Sequence, residues 1–278
     1  MCYYARFVPA VSGASYAMLA GRKMSHDERL QMTKLSAAAP MFDDYFDDET
    51  LSEARLKVMI TQPELFLPEN TKEKVFVFLL REIKEKVKHF AFFNEVCLKV
   101  FEAQMQAKRQ ETGGLSTEEV KKITFDKGGY STLLFKTIME QPELQGENEA
   151  IYHFGGMVQW VDDVFDVYED TKAGLQTLAT PNVNIRRVGE EFEAELAEMT
   201  ALFLKIPLPS AHIKRFVGLQ MFFFSRAMVC FEQLAALQGS ENEAFYPEKY
   251  ERKALICDME KWRNIRKWLK YFSKLSSP

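Results

Sequence analysis

Apolar residues recur every three to four positions along almost the whole chain, the period of an amphipathic helix. The spacing predicts helices near 3–20, 26–48, 50–60, 71–87, 88–111, 116–127, 130–140, 147–172, 185–204, 209–238 and 247–273. Capping boxes mark several starts: Ser25 with Glu28, Thr50 with Glu53, Ser116 with Glu119, and Asn70 with Glu73 in a weaker form. Pro63, Pro68, Gly113–Gly114, Pro142, Gly146, Pro181, Pro207, Pro209, Gly239 and Pro247 punctuate the intervals. No stretch alternates as a strand between hairpin turns, and there is no solenoid repeat or low-complexity tract. The economical expectation is one all-α domain over residues 1–278, a single-domain helical bundle.

Composition narrows the class. The 278 residues are 47% apolar and 27% charged, which suits a packed globule and argues against wholesale disorder. A net charge of −4 gives no electrostatic case for nucleic-acid binding. Cys2, Cys97, Cys230 and Cys257 show no C-x-x-C or zinc spacing, and His26, His89, His153 and His212 are equally scattered. Reduced thiols in a cytoplasmic protein are the expectation. The segment from Met1 to Met18 is a poor signal peptide, since Arg6, Pro9, Ser12 and Gly13 interrupt it. No apolar run reaches the roughly 18–20 residues of a membrane helix, so no integral membrane segment is expected.

The acids are unevenly placed. Met41-Phe-Asp-Asp-Tyr-Phe-Asp-Asp-Glu49 is the first cluster. On a helix Asp43, Asp44, Asp47 and Asp48 share an arc of about 140°. Like charges at i and i+4 weaken a helix unless a cation faces them. Mg²⁺ suits such carboxylates, and a solvated acidic helix end capped by Thr50 is the plainer alternative.

The second cluster spans Gln159 to Asp170. Gln159, Asp162, Asp163, Asp166, Glu169 and Asp170 share an arc of about 120°, while Trp160, Val161, Val164, Phe165, Val167 and Tyr168 fill the rest of the wheel. No base sits on the polar arc. This pattern suits a buried helix turning an acidic face to a cavity, where cations would have to offset the charge. A partly exposed acidic stripe is the alternative reading.

Together the two clusters resemble the paired Asp-rich motifs of the class I isoprenoid (terpenoid) synthases. Asp43-Asp44-Tyr-Phe-Asp47 matches the DDxxD pattern of that family. Gln159-x-x-Asp162-Asp163-x-x-Asp166-x-x-Glu169-Asp170 is similar to the second motif of prenyl synthases and to the QxxxxxxDxxED of squalene and phytoene synthases. Lys127-Gly-Gly-Tyr-Ser131 looks like the broken helix of this fold, and with the second motif also like the bacterial tetraprenyl-curcumene synthase group. The resemblance covers roughly residues 26–180. It implies an all-α bundle around a deep central cavity and a prenyl diphosphate substrate. It also implies about three Mg²⁺ ions, held by Asp43, Asp44, Asp47, Asp48, Asp162, Asp163, Asp166 and Asp170. Within that set Asp43, Asp44, Asp47, Asp162, Asp163 and Asp166 are the expected catalytic residues. The implied reaction ionises the diphosphate and cyclises or rearranges the allylic cation. A prenyltransferase or head-to-head synthase joining two prenyl diphosphates is the alternative, and a non-catalytic diphosphate- or partner-binding helical protein is another. Elongating enzymes carry an Arg pair soon after the first motif, and here Arg55 stands alone. The second motif is not the NSE form of microbial cyclases. A homodimer is compatible with this reading.

Basic residues complete the expected site. Lys127, Gln159, Lys172, Arg226, Arg266 and Lys267 are the candidate substrate contacts. Lys127 otherwise complements a helix dipole. Arg226 lies within apolar sequence and needs a partner, either the diphosphate or Glu232. Arg266, Lys267, Lys270 and Tyr271 form either a lid or a solvated basic helix. Phe90, Phe92, Phe93, Phe154, Trp160, Phe222, Phe223 and Phe224 are candidates for a prenyl pocket, or plain core. Gly155 and Gly156 are expected to allow close helix packing.

Overall fold

Side-chain caps fix several helix starts. In the computed structural model, which describes residues 12–47, 51–239 and 244–276, Ser25 and Glu28 cap reciprocally. The Ser25 amide donates to Glu28 Oε2 (2.8 Å) and the Glu28 amide to Ser25 Oγ (3.1 Å). Ser116 and Glu119 repeat the arrangement at 3.0 and 3.2 Å. Asn70 accepts from the Glu73 amide at 2.9 Å and donates its own amide to Glu73 Oε1 at 2.7 Å. Thr50 lies outside the described residues; the helix that follows it is capped by Ser52, which accepts from the Arg55 amide. Residues 3–11 of the first predicted helix, Cys2 and Asp48 also lie outside the described part.

In chain order the helices are α1 (Ala14–Leu19), α2 (His26–Asp47), α3 (Glu53–Thr61), α4 (Thr71–Lys84), α5 (Phe90–Ala107), α6 (Thr117–Lys136), α7 (Glu147–Phe165), α8 (Val167–Ala173), α9 (Ile185–Lys205), α10 (Ser210–Gln238), α11 (Arg252–Leu255) and α12 (Trp262–Ser276). The β features among the described residues are isolated bridges, Thr177–Thr180 and Val183–Phe245. No helix among them is long and apolar enough to cross a membrane.

Three boundaries differ from the sequence expectation. Residues 117–136 form one continuous helix, so the Gly128–Gly129 pair does not break it. The expected helix over 147–172 is broken at Asp166, whose φ/ψ of −96°/14° leave the helical region. The expected helix over 247–273 is divided into a short turn, α11 and α12. There the Asp258 side chain accepts the Glu260 amide at 3.0 Å, an Asx turn that competes with helix.

The chain groups into two compact units. The first comprises Met1–Met105 with Tyr130–Leu144, the second Gln106–Gly129 with Gln145–Pro278. In the first, α2 packs on α4, with Tyr45 edge-on to Phe76 at 5.5 Å. A buried ion pair ties its ends together. Glu28, 1% exposed, accepts from Arg22 Nη1 (2.7 Å) and from the Glu140 amide (2.8 Å). Burial alone would raise its pKa, but Arg22 and the two amides outweigh it and hold it low. Glu28→Gln is expected to cost about 2 kcal/mol, since buried donors lose a charged acceptor. A urea titration at neutral pH checks this, and the difference should fade as acid protonates the wild-type carboxylate.

In the second unit α7 is sheathed by α9 and α10. Trp160 meets Phe192 edge-on at 5.5 Å, Phe154 meets Phe216 and Phe224 at 5.7 and 5.8 Å, and Phe192 meets Phe231 at 5.3 Å. This aromatic column holds the apolar side of α7, leaving its acidic side turned the other way.

Candidate functional site

The site in the second unit is built on a close crossing of α6 and α7. A Cβ on Gly128 would lie 2.1 Å from the Gly155 carbonyl oxygen, and one on Gly156 would lie 2.4 Å from Phe125 Cδ1. Only glycine permits this approach, so the pair expected to end a helix instead joins two. Tyr152 fastens the same crossing through its hydroxyl to Asp126 Oδ1 (2.5 Å).

Beyond the crossing lies a polar cavity of about 200 Å³. Gln159, Asp162, Asp163, Asp166 and Asp170 line it with Lys127, Thr124, Gln110, Leu175 and Thr177. Five of the six polar groups on the predicted arc thus meet in one recess. Glu169 turns away toward Arg252, 3.6 Å from its carboxylate. The break at Asp166 lets the two halves of the motif bend around the recess.

Asp163 is the most enclosed member, 6% exposed. It accepts from Thr124 Oγ1 (2.9 Å) and from Gln159 Nε2 (3.1 Å); Gln159 also reaches Asp162 Oδ2 at 3.3 Å. Burial pushes the Asp163 carboxyl up to about 6 despite those donors. Asp170 is pushed up to about 7, first by burial and then by the charges of Asp163, Asp166 and Asp162. Asp162 and Asp166 are exposed at the recess, yet the surrounding protein strips enough hydration to raise them as well. Lys127 opposes the rise at all four. The recess therefore holds more acid than one lysine balances, and a cation would relieve it.

These donors suit Mg²⁺, which prefers carboxylate oxygens. Among the described residues no three His, Cys, Asp or Glu side chains form a ready-made metal cage. Mutual repulsion is reason enough for bare carboxylates to stay apart.

The first cluster is placed in the first unit, at the end of α2. Asp43 accepts from Gln104 Nε2 at 2.9 Å and edges an apolar pocket of about 170 Å³ lined by Phe42, Phe76, Val100 and Phe135 among others. Asp44 pairs with Lys72 at 3.0 Å, and that ammonium also stands over the Tyr45 ring. The Asp47 side chain and all of Asp48 lie outside the described residues.

The remaining basic candidates do not line the acidic cavity. Lys172 is exposed on α8. Arg226 stands over the rings of Phe165 (5.5 Å) and Phe223 (6.0 Å). Its supposed partner Glu232 is instead engaged by Lys267 (2.8 Å) and the Tyr271 hydroxyl (2.9 Å). Arg266 is exposed on α12. Of the aromatic candidates, Phe93, Phe154, Trp160 and Phe224 are buried, while Phe90 and Phe222 are exposed. None of the eight lines the apolar pocket.

Sequence reasoning missed Thr124, Gln110 and Thr177. Thr124 was within reach, since it sits one turn before Lys127 on the same helix face. Gln110 was not: its side chain is placed by donating to the Gln176 carbonyl, 66 residues away in sequence, at 2.9 Å. Compared with protein-family models and with curated proteins, the chain finds no match in either.

Proposed function

We propose that this protein is a Mg²⁺-dependent class I isoprenoid synthase that ionises a prenyl diphosphate. The observation that carries the reading is the convergence of Gln159, Asp162, Asp163, Asp166 and Asp170 with Lys127 on one recess. Bound Mg²⁺ would supply the charge that holds the diphosphate and makes it a leaving group. The chain's own residues prepare that state. Thr124 and Gln159 fix the Asp163 carboxylate by hydrogen bonds. Lys127 adds a positive charge at the cavity wall. The C–O bond of the substrate then breaks heterolytically, its electron pair leaving with the diphosphate. The allylic cation left behind cyclises or rearranges without a protein nucleophile and is discharged by losing a proton to the departed diphosphate or by capturing water.

The reading assigns metal binding to Asp43 and Asp47 as well. The test is a panel of prenyl diphosphates of increasing chain length with Mg²⁺, read by mass spectrometry and by pyrophosphate release. Turnover of one substrate alone is the expected result, and a requirement for two would point to a coupling enzyme. Asp43→Ala/Asp47→Ala is expected to abolish pyrophosphate release; full activity in that double variant would refute the assignment.

A further inference from the structure

Helix α12 carries five bases, Arg263, Arg266, Lys267, Lys270 and Lys274, and no acid in its 15 residues. At about 100° per residue the bases occupy one side of the wheel, and Ile265, Trp268, Phe272 and Leu275 the other. The apolar side leans on α10, where Trp268 Nε1 donates to the Phe222 carbonyl (2.8 Å) and Trp268 and Phe222 rings lie 4.3 Å apart. The cover is incomplete. Ile265, Trp268 and Phe272 are all half-buried, and Asn264 is the one fully buried residue of the helix. Two large apolar side chains stand at the border between the faces, Trp262 at 70% and Leu269 at 50% exposure. On α10, Phe222 and Leu219 one turn before it add 38% and 46% exposed apolar surface. Of the bases, Lys267 is paired with Glu232 and Lys274 with Glu193. Arg263, Arg266 and Lys270 make no salt bridge among the described residues.

We propose that the outer side of α12 docks the protein on an anionic lipid bilayer. A tryptophan and a leucine along one border of a row of cations that make no salt bridge fit the boundary between headgroups and acyl chains. The cations face anionic headgroups while Trp262 and Leu269 insert beside them. A nucleic acid would satisfy the charges but leave these two apolar side chains in water. The site is separate from the acidic recess, so docking leaves the diphosphate chemistry untouched.

The experiment is co-sedimentation of the full chain with vesicles. Phosphatidylcholine vesicles containing about a third phosphatidylserine are compared with pure phosphatidylcholine at ordinary and at about 0.5 M salt, where screening is about twofold shorter in range. Binding is expected to the anionic vesicles only and to fall with salt. Arg263→Glu/Arg266→Glu/Lys270→Glu should weaken it at least about tenfold. Trp262→Ser/Leu269→Ser should weaken it while leaving Mg²⁺-dependent pyrophosphate binding unchanged. Circular dichroism melts establish that both variants fold. Quenching of wild-type tryptophan emission by brominated lipid gives a readout that needs no variant. No binding, equal binding to neutral vesicles, indifference to charge reversal, or binding to a DNA duplex in place of vesicles would each overturn the proposal.

Discussion

Gly128→Ala is expected to destabilise the protein by about 3 kcal/mol, the upper end of the usual overpacking cost. The added Cβ would fall 2.1 Å from a backbone oxygen and 2.6 Å from Gln159 Cβ. Neither atom can swing aside, so α6 and α7 must separate. Separation loosens the Phe125–Trp160 contact (6.2 Å) and the Thr124–Asp163 hydrogen bond. Helix propensity pulls the other way, since alanine favours a helix interior by about 1 kcal/mol over glycine. Gly218→Ala isolates that opposing effect. Gly218 lies inside α10 with nothing within 4 Å of a new Cβ, so the substitution should stabilise by about 0.5–1 kcal/mol. Thermal melts should place the first variant roughly 6–12 °C below wild type and the second a few degrees above it. A Gly128→Ala protein melting with wild type would mean the helices do not cross so closely.

Asp163→Asn/Asp170→Asn should reduce Mg²⁺-dependent pyrophosphate release on the order of a hundredfold or more while making the metal-free protein more stable. The two effects have one source. Asp163 and Asp170 have folded pKa values of about 6 and about 7, raised above the ordinary carboxylate value. A raised carboxyl favours its protonated form when folded. Stability from these groups is therefore full below their unfolded pKa and is lost as pH climbs through 6 to 7. Asparagine imitates the protonated acid at every pH. At pH 8 the double variant should gain about 1–2 kcal/mol, well short of the roughly 1.4 kcal/mol per pKa unit because water reaches the recess. At pH 4 the gain should vanish. Denaturant titrations without metal, run at both pH values, check the sign. Adding Mg²⁺ should stabilise wild type and not the variant. A variant that keeps full turnover would remove the acidic recess from the chemistry.

The fold was legible where one signal dominates. Helical period placed α2, α4 and α9 closely, and caps fixed the starts of α2, α4 and α6, because Ser25, Asn70 and Ser116 each satisfy amides that a helix start leaves open. The acidic arc was legible too, because side-chain direction on a helix follows from spacing alone. What failed was the meaning of a local feature whose reason is distant in sequence. Gly128 and Gly129 read as a helix end, yet their smallness serves Gly155 and Tyr152. Asp166 read as mid-helix, though the chain bends there. Glu169 shared the arc but found Arg252, about 80 residues away in sequence and invisible to any wheel. Arg226 is expected from sequence to meet the diphosphate or Glu232; in the structure it stands over the rings of Phe165 and Phe223.

The crossing of α6 and α7 has a mechanical corollary. Lys127 adjoins the glycine that touches Gly155, and Asp163 lies two helical turns beyond Gly156, about 10 Å along the axis. With no slack at the contact, that spacing behaves as a gauge, and one wall of the recess is dimensionally set. The opposite wall, from Val167 onward, turns at the irregular residue Asp166 and is braced by buried Val167 and by Tyr168 and Glu169 against Arg252. Accommodation to a larger or smaller anion on that side must therefore carry Arg252 with it, because Asp170 rides on the same short helix that Arg252 grips through Tyr168 and Glu169.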